Sequence, residues 1–139
     1  MIKLQDRDDF KVFISVPGTQ TTGKKYVFVM PFAGWLKAVY SKLGTAGVTG
    51  TQTVDINKGG SSVLGTLITF ATTNVDPNLA AVFTADPTSF AKGDFVSVDV
   101  DAIHSGTAAI DLSVALVFSR NKPAGIIQGA IEVSVGKGF

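Results

Sequence analysis

Phe95-Val96-Ser97-Val98-Asp99-Val100-Asp101 is a stretch in which Val at every second position is separated by polar residues. Successive side chains of a β-strand point to opposite faces, so this pattern predicts a strand with one face on a core and the other in water. Thr53-Val54-Asp55-Ile56-Asn57 and Asp111-Leu112-Ser113-Val114-Ala115-Leu116 carry the same alternation. The whole stretch from Thr51 to Arg120 is a series of such runs, cut by Gly, Asp, Asn and Pro, and it holds no arrangement of reactive side chains. Composition and spacing therefore lead to a β-sandwich that binds or assembles, without saying what it binds.

Outward from that stretch the same signals continue. Strands are expected near 10–16, 25–31, 35–42, 51–57, 62–72, 79–84, 94–101, 110–119 and 126–135. Turn chemistry separates them: Pro17-Gly18, Gly44 to Gly50, Lys58-Gly59-Gly60, Asp76-Pro77-Asn78, Asp86-Pro87, Lys92-Gly93-Asp94 and Ser105-Gly106. Strong helix formers are scarce, with Glu132 the only glutamate. Trp35, Val39 and Leu43 recur at helical spacing, but Val39 and Tyr40 are strand formers, and a strand is the preferred reading. Short strands spaced about ten residues apart indicate an all-β fold, a jelly-roll-like antiparallel β-sandwich of eight to nine strands with short terminal extensions. One domain is expected over 1–139, with residues 1–9 as a polar N-terminal arm and 136–139 as a loose tail.

The chain is 45% hydrophobic and only 17% charged, below the roughly 25% usual for soluble domains. No apolar run approaches the roughly 18 residues of a membrane helix, and Val114–Phe118 suits a buried strand. A small protein this poor in charge is expected to hide surface against copies of itself or a partner. With no cysteine there are neither disulfides nor thiolate metal sites. Met1 to Asp9 lacks the apolar centre of a secretory signal, so synthesis in a cytoplasm is expected.

The net charge of +1 gives no general field for nucleic acid. Its distribution is uneven: residues 1–50 carry +4, residues 51–120 carry −4 and the remainder +1. A basic first third and an acidic middle are able to attract each other between subunits, although a scatter of solvated charges is the simpler account.

Four motifs suggest chemistry, and each has a simpler reading. Gly18-Thr19-Gln20-Thr21-Thr22-Gly23-Lys24-Lys25 resembles a phosphate-binding loop, but Lys25 stands where a magnesium-binding hydroxyl is needed. Such a loop must also open a helix, whereas the strand-like Tyr26-Val27-Phe28-Val29-Met30 follows, so a polar hairpin loop is expected. Asp55-Ile56-Asn57-Lys58-Gly59 begins like a calcium loop, yet Thr66 occupies the position of the bidentate glutamate. Asp99 and Asp101 share a strand face near Asp94, and a calcium site with Asp111 across the sheet is conceivable; outward charges that keep a Val-rich strand soluble are the simpler expectation. His104, the only histidine, has no partner for a triad and reads as a solvated loop residue. No catalytic residue, metal site or cofactor is expected, and enzyme activity is not.

The ten phenylalanines read mainly as core. Trp35, beside Gly34, suits either a core plug or an interface anchor. Lys24-Lys25 with Tyr26 reads as a solvated loop tip, with contact to phosphate or an acidic surface as the functional alternative.

Gly50 to Leu64, Phe90 to Val100 and Leu112 to Phe118 together resemble a jelly-roll module of tailed-phage virion proteins. The resemblance covers about residues 25–120. Modules of this kind occur in capsid decoration (cement) proteins, head fibres and receptor-binding tips, often as trimers. The resemblance implies a structural virion protein on the capsid surface, a homotrimer whose partners are the major capsid protein and its own copies, with neither nucleic acid nor membrane as a partner. The absence of a coiled-coil or repetitive shaft favours decoration over a fibre tip. The alternative is a head-fibre or tail-tip module recognising a host-surface glycan, for which Trp35, Tyr26 and Tyr40 are the aromatic candidates. For the interface, the charge asymmetry points to the basic N-terminal segment, Lys3, Arg7 and Lys11, and Trp35 is added as an anchor.

Overall fold

A computed structural model describes residues 9–77, 82–85 and 87–122. The described residues form strands and loops without a helix. The strands are β1 (Asp9–Thr19), β2 (Gly23–Val29), β3 (Gly34–Thr45), β4 (Gln52–Lys58), β5 (Ser61–Ser62), β6 (Leu64–Thr66), β7 (Ile68–Phe70), β8 (Val82–Phe83), β9 (Thr88–Phe90), β10 (Phe95–Ala102) and β11 (Ile110–Ser119).

Two antiparallel sheets pack face to face. Sheet I has the order β1-β11-β3-β9, and sheet II the order β2-β10-β4-β5, with β7 also paired to β4. A small pair, β6 and β8, lies beside them. β1 to β4 alternate between the sheets, as do β9 to β11, and early strands lie beside late ones: β1 with β11, β2 with β10, β3 with β9. This nested wrapping is jelly-roll topology, and it makes most pairings long-range in sequence.

Side-chain parity builds the core. Ile14 on β1, Leu36 and Leu43 on β3, and Leu112, Val114, Leu116 and Phe118 on β11 fill the inner face of sheet I. Val54 and Ile56 on β4 and Val96, Val98 and Val100 on β10 fill that of sheet II. Phe118 lies at the centre of an aromatic cluster, stacked on Phe10 at 5.0 Å and meeting Phe90 and Phe28 edge-on at 5.4 and 6.2 Å. Gly59 and Gly60, both at positive φ, close the hairpin from β4 to β5, in which Lys58 pairs with Ser61. Positive φ at both central residues is the geometry that matches strand twist in a two-residue hairpin.

Several boundaries differ from expectation. The Trp35 segment is strand throughout. The expected strand 62–72 is broken into β5, β6 and β7. Thr88–Phe90 forms β9, a strand absent from the sequence reading, where Asp86-Pro87 signalled only a turn. Asp9, expected in the arm, is the first residue of β1, paired with Ser119. The stretch 18–25 is no hairpin: β1 belongs to sheet I and β2 to sheet II, so it carries the chain between sheets. The remainder of the arm, the expected strand 126–135, the tail 136–139 and the first residues of the expected strand 79–84 lie outside the described residues.

Candidate functional site

Neither sheet's outer face is bland. On sheet I, the register places Phe13, Ala115 and Tyr40 in one cross-strand row, with Ala115 in the middle. The next row is Ser15, Ser113 and Lys42. Because β11 offers only small side chains outward here, the larger residues of β1 and β3 rise as walls on either side. The result is a groove of about 500 Å³ lined by Phe13, Tyr40, Ala115, Ser113, Lys42 and Asp76, among others. Phe13 is 74% exposed and Tyr40 65%. Lys42 Nζ sits 2.8 Å from Asp76 Oδ1, closing one end with a neutralised ion pair.

On sheet II the outer face is divided. Its apolar part is Phe95 on β10, paired with Val29 on edge strand β2, with Val27 in the following row opposite Ser97. Phe95 is 61% exposed, and both valines are exposed as well. Its acidic part begins where Asp99 faces Lys24 on one side and Asp55 on the other. Ser62 Oγ donates to Asp55 Oδ1 at 2.6 Å, and Ser97 Oγ donates to Asp99 Oδ1 at 2.8 Å. Desolvation first, then the negative charges of Asp55 and Asp99, raise the pKa of the Asp101 carboxyl.

Of the four interface residues expected from sequence, Lys3 and Arg7 lie outside the described residues. Lys11 and Trp35 share the outer face of sheet I but stand apart on it, in the neighbouring rows Lys11–Val117–Ala38 and Asp9–Ser119–Trp35 with β11 between their strands. Trp35 is half-buried, with Lys122 Nζ 5.4 Å from its ring centroid, so it is neither a core plug nor a bare anchor. Arg120 lies over Phe32 at 4.0 Å in the same region.

The motif readings resolve separately. His104 is buried, 2% exposed, which corrects its reading as a solvated residue; Nε2 lies 3.2 Å from the Ala71 carbonyl, and Nδ1 has no partner among the described residues. Asp111 is on sheet I, where Oδ1 accepts from the Gly18 amide at 2.7 Å, so it does not face Asp99 across a sheet. Asp94 is used in its own turn, accepting from the Ala91 amide at 2.8 Å. Asp55 and Asn57 are paired residues of β4 leading into the glycine turn, not members of a cation loop. Among the described residues no group of three or more His, Cys, Asp or Glu is placed to hold a metal ion.

Sequence reasoning missed Phe13 and Phe95 by assigning the phenylalanines mainly to the core. The signal was present in the alternation. Phe95 shares parity with Ser97, Asp99 and Asp101, and Phe13 with Lys11 and Ser15, opposite to the buried Val and Ile positions.

No protein-family model matches the chain, and no curated protein matches it. The fold is thus an antiparallel β-sandwich whose distinguishing features are its exposed outer faces.

Proposed function

We propose that this protein is a structural assembly subunit that docks through the outer face and free edge of sheet II, and that the assembly is a phage capsid, whose shell it stabilises as a homotrimer bound to the major capsid protein. The observation that carries the docking reading is the Val27–Val29–Phe95 patch on β2 and β10. β2 pairs with β10 alone among the described residues, leaving its other backbone edge unpaired. Natural sheets blunt such edges with charge or proline, whereas only Lys24 and Lys25 at one end of β2 do so here. Apolar side chains beside open backbone donors and acceptors suit a partner that buries the one and pairs the other. The phage setting and the trimer rest on the sequence resemblance alone. On this reading the protein is made in the host cytoplasm and ends on the virion surface.

Each subunit bound across neighbouring capsid proteins would raise the cost of separating them, and several contacts per oligomer would add avidity. The test is sedimentation of purified capsids with the full chain, alongside mass measurement of the free protein. Co-migration at fixed stoichiometry, lost in Val29→Lys with Phe95→Glu, supports the reading; no co-migration, or binding indifferent to those changes, refutes it.

A further inference from the structure

We propose that the groove on the outer face of sheet I binds a neutral sugar ring, held between Phe13 and Tyr40 and oriented by the polar row beside them. Three features point to that ligand class. The groove volume of about 500 Å³ lies within the ordinary range for small-ligand sites, which combine apolar walls with a few convergent polar groups.

The walls set the thickness of what enters. Phe13 and Tyr40 stand on strands separated by β11, so their backbones are roughly 9.6 Å apart. One ring layer with a carbon contact on each side needs about 7–8 Å. Ala115 between them leaves the space open; a larger residue there would fill it.

The rows set the chemistry. Phe13–Ala115–Tyr40 is followed two residues along the strands by Ser15–Ser113–Lys42. At about 3.4 Å per residue, an aromatic row and a polar row lie roughly 7 Å apart. A ligand fitting both must present an apolar C–H face and a hydroxyl-bearing edge within the span of one ring. Pyranoses have that construction. Lys42 and Asp76 neutralise each other, so the site offers one cation and one carboxylate to hydroxyls without net charge. That favours a neutral sugar over an anionic one. A purely apolar occupant would leave the Ser15 and Ser113 hydroxyls facing it without compensation.

This site is separate from the docking patch, which is on sheet II. The test uses the full chain with maltohexaose, cellohexaose and mannohexaose as probes, read by saturation-transfer NMR and titration calorimetry. At least one probe is expected to bind, with Phe13→Ala and Tyr40→Ala each weakening it by about tenfold and Tyr40→Phe by less. Ala115→Leu is expected to abolish binding while leaving the thermal transition within a few degrees, since residue 115 faces outward. Val29→Lys is expected to leave sugar binding unchanged. The proposal is overturned if no probe gives saturation transfer at about 10 mM, or if binding is indifferent to the Phe13, Tyr40 and Ala115 changes. A concentration-dependent dimer that both blocks probe binding and dissociates in Phe13→Ala would also overturn it, by assigning the face to a second copy.

Discussion

Gly47 lies flat against the ring of His104: a Cβ on residue 47 would come 2.2 Å from Nδ1 and 2.3 Å from Cγ. Both residues are buried, and the approach is possible only because residue 47 has no side chain. Nearby, the Gly47 carbonyl accepts from the Thr73 amide at 2.7 Å and the His104 ring bonds to Ala71, so two loops are tied together at this point. Gly47→Ala must therefore displace the ring or the backbone. The expected cost is about 1–3 kcal/mol, the range for overpacking, and urea unfolding monitored by tryptophan fluorescence measures it.

Phe118 contacts aromatic rings from three other segments of the chain, Phe10, Phe28 and Phe90, and is fully buried. Its removal takes away the point where β1, β2 and β9 meet β11. Phe118→Ala is expected to lose about 3–5 kcal/mol, a large part of the total stability of a domain this size. An unchanged denaturation midpoint would contradict the packing described.

Gly59 sits at φ 59 with no atom within 4 Å of where a Cβ would stand. Asn is the non-glycine residue best suited to that conformation in a two-residue hairpin. Gly59→Asn is expected to be nearly neutral, the lower entropy of the unfolded chain offsetting the strain of a side chain at positive φ. Gly60→Val, at φ 89, is expected to destabilise the protein. Thermal denaturation of the two variants side by side tests the turn.

Asp101 supplies a pH signature. Its carboxyl pKa is raised above 3.8 by desolvation, then by Asp55 and Asp99, so the folded state holds this proton more tightly than the unfolded chain does. The cost of ionising it is absent below 3.8 and develops as pH rises through the raised folded value. Asp101→Asn removes that cost. The variant is expected to be more stable than the parent at neutral pH, with the difference fading towards about pH 3. Equilibrium unfolding at both pH values decides it; a parent more stable than the variant at neutral pH would reverse the sign.

The sequence alone determined the strands with long regular alternation and the turns between them. Phe95–Ala102 and Ile110–Ser119 were legible because burial on one face imposes a period of two along the chain. The two-glycine turn was legible because few residues tolerate its backbone. The very short strands were not: three residues such as Thr88–Phe90 are too few to show a period, and β9 exists because β3 offers Gly34, Trp35 and Leu36 as partners. The tertiary structure alone decided that His104 is buried, that Asp111 and Asp99 stand on different sheets, and that Phe13 and Tyr40 flank Ala115 in a single row. Each is a relation between residues far apart in sequence. Local propensity carries no information about which strand becomes a neighbour; that is set when the two faces close over a shared core.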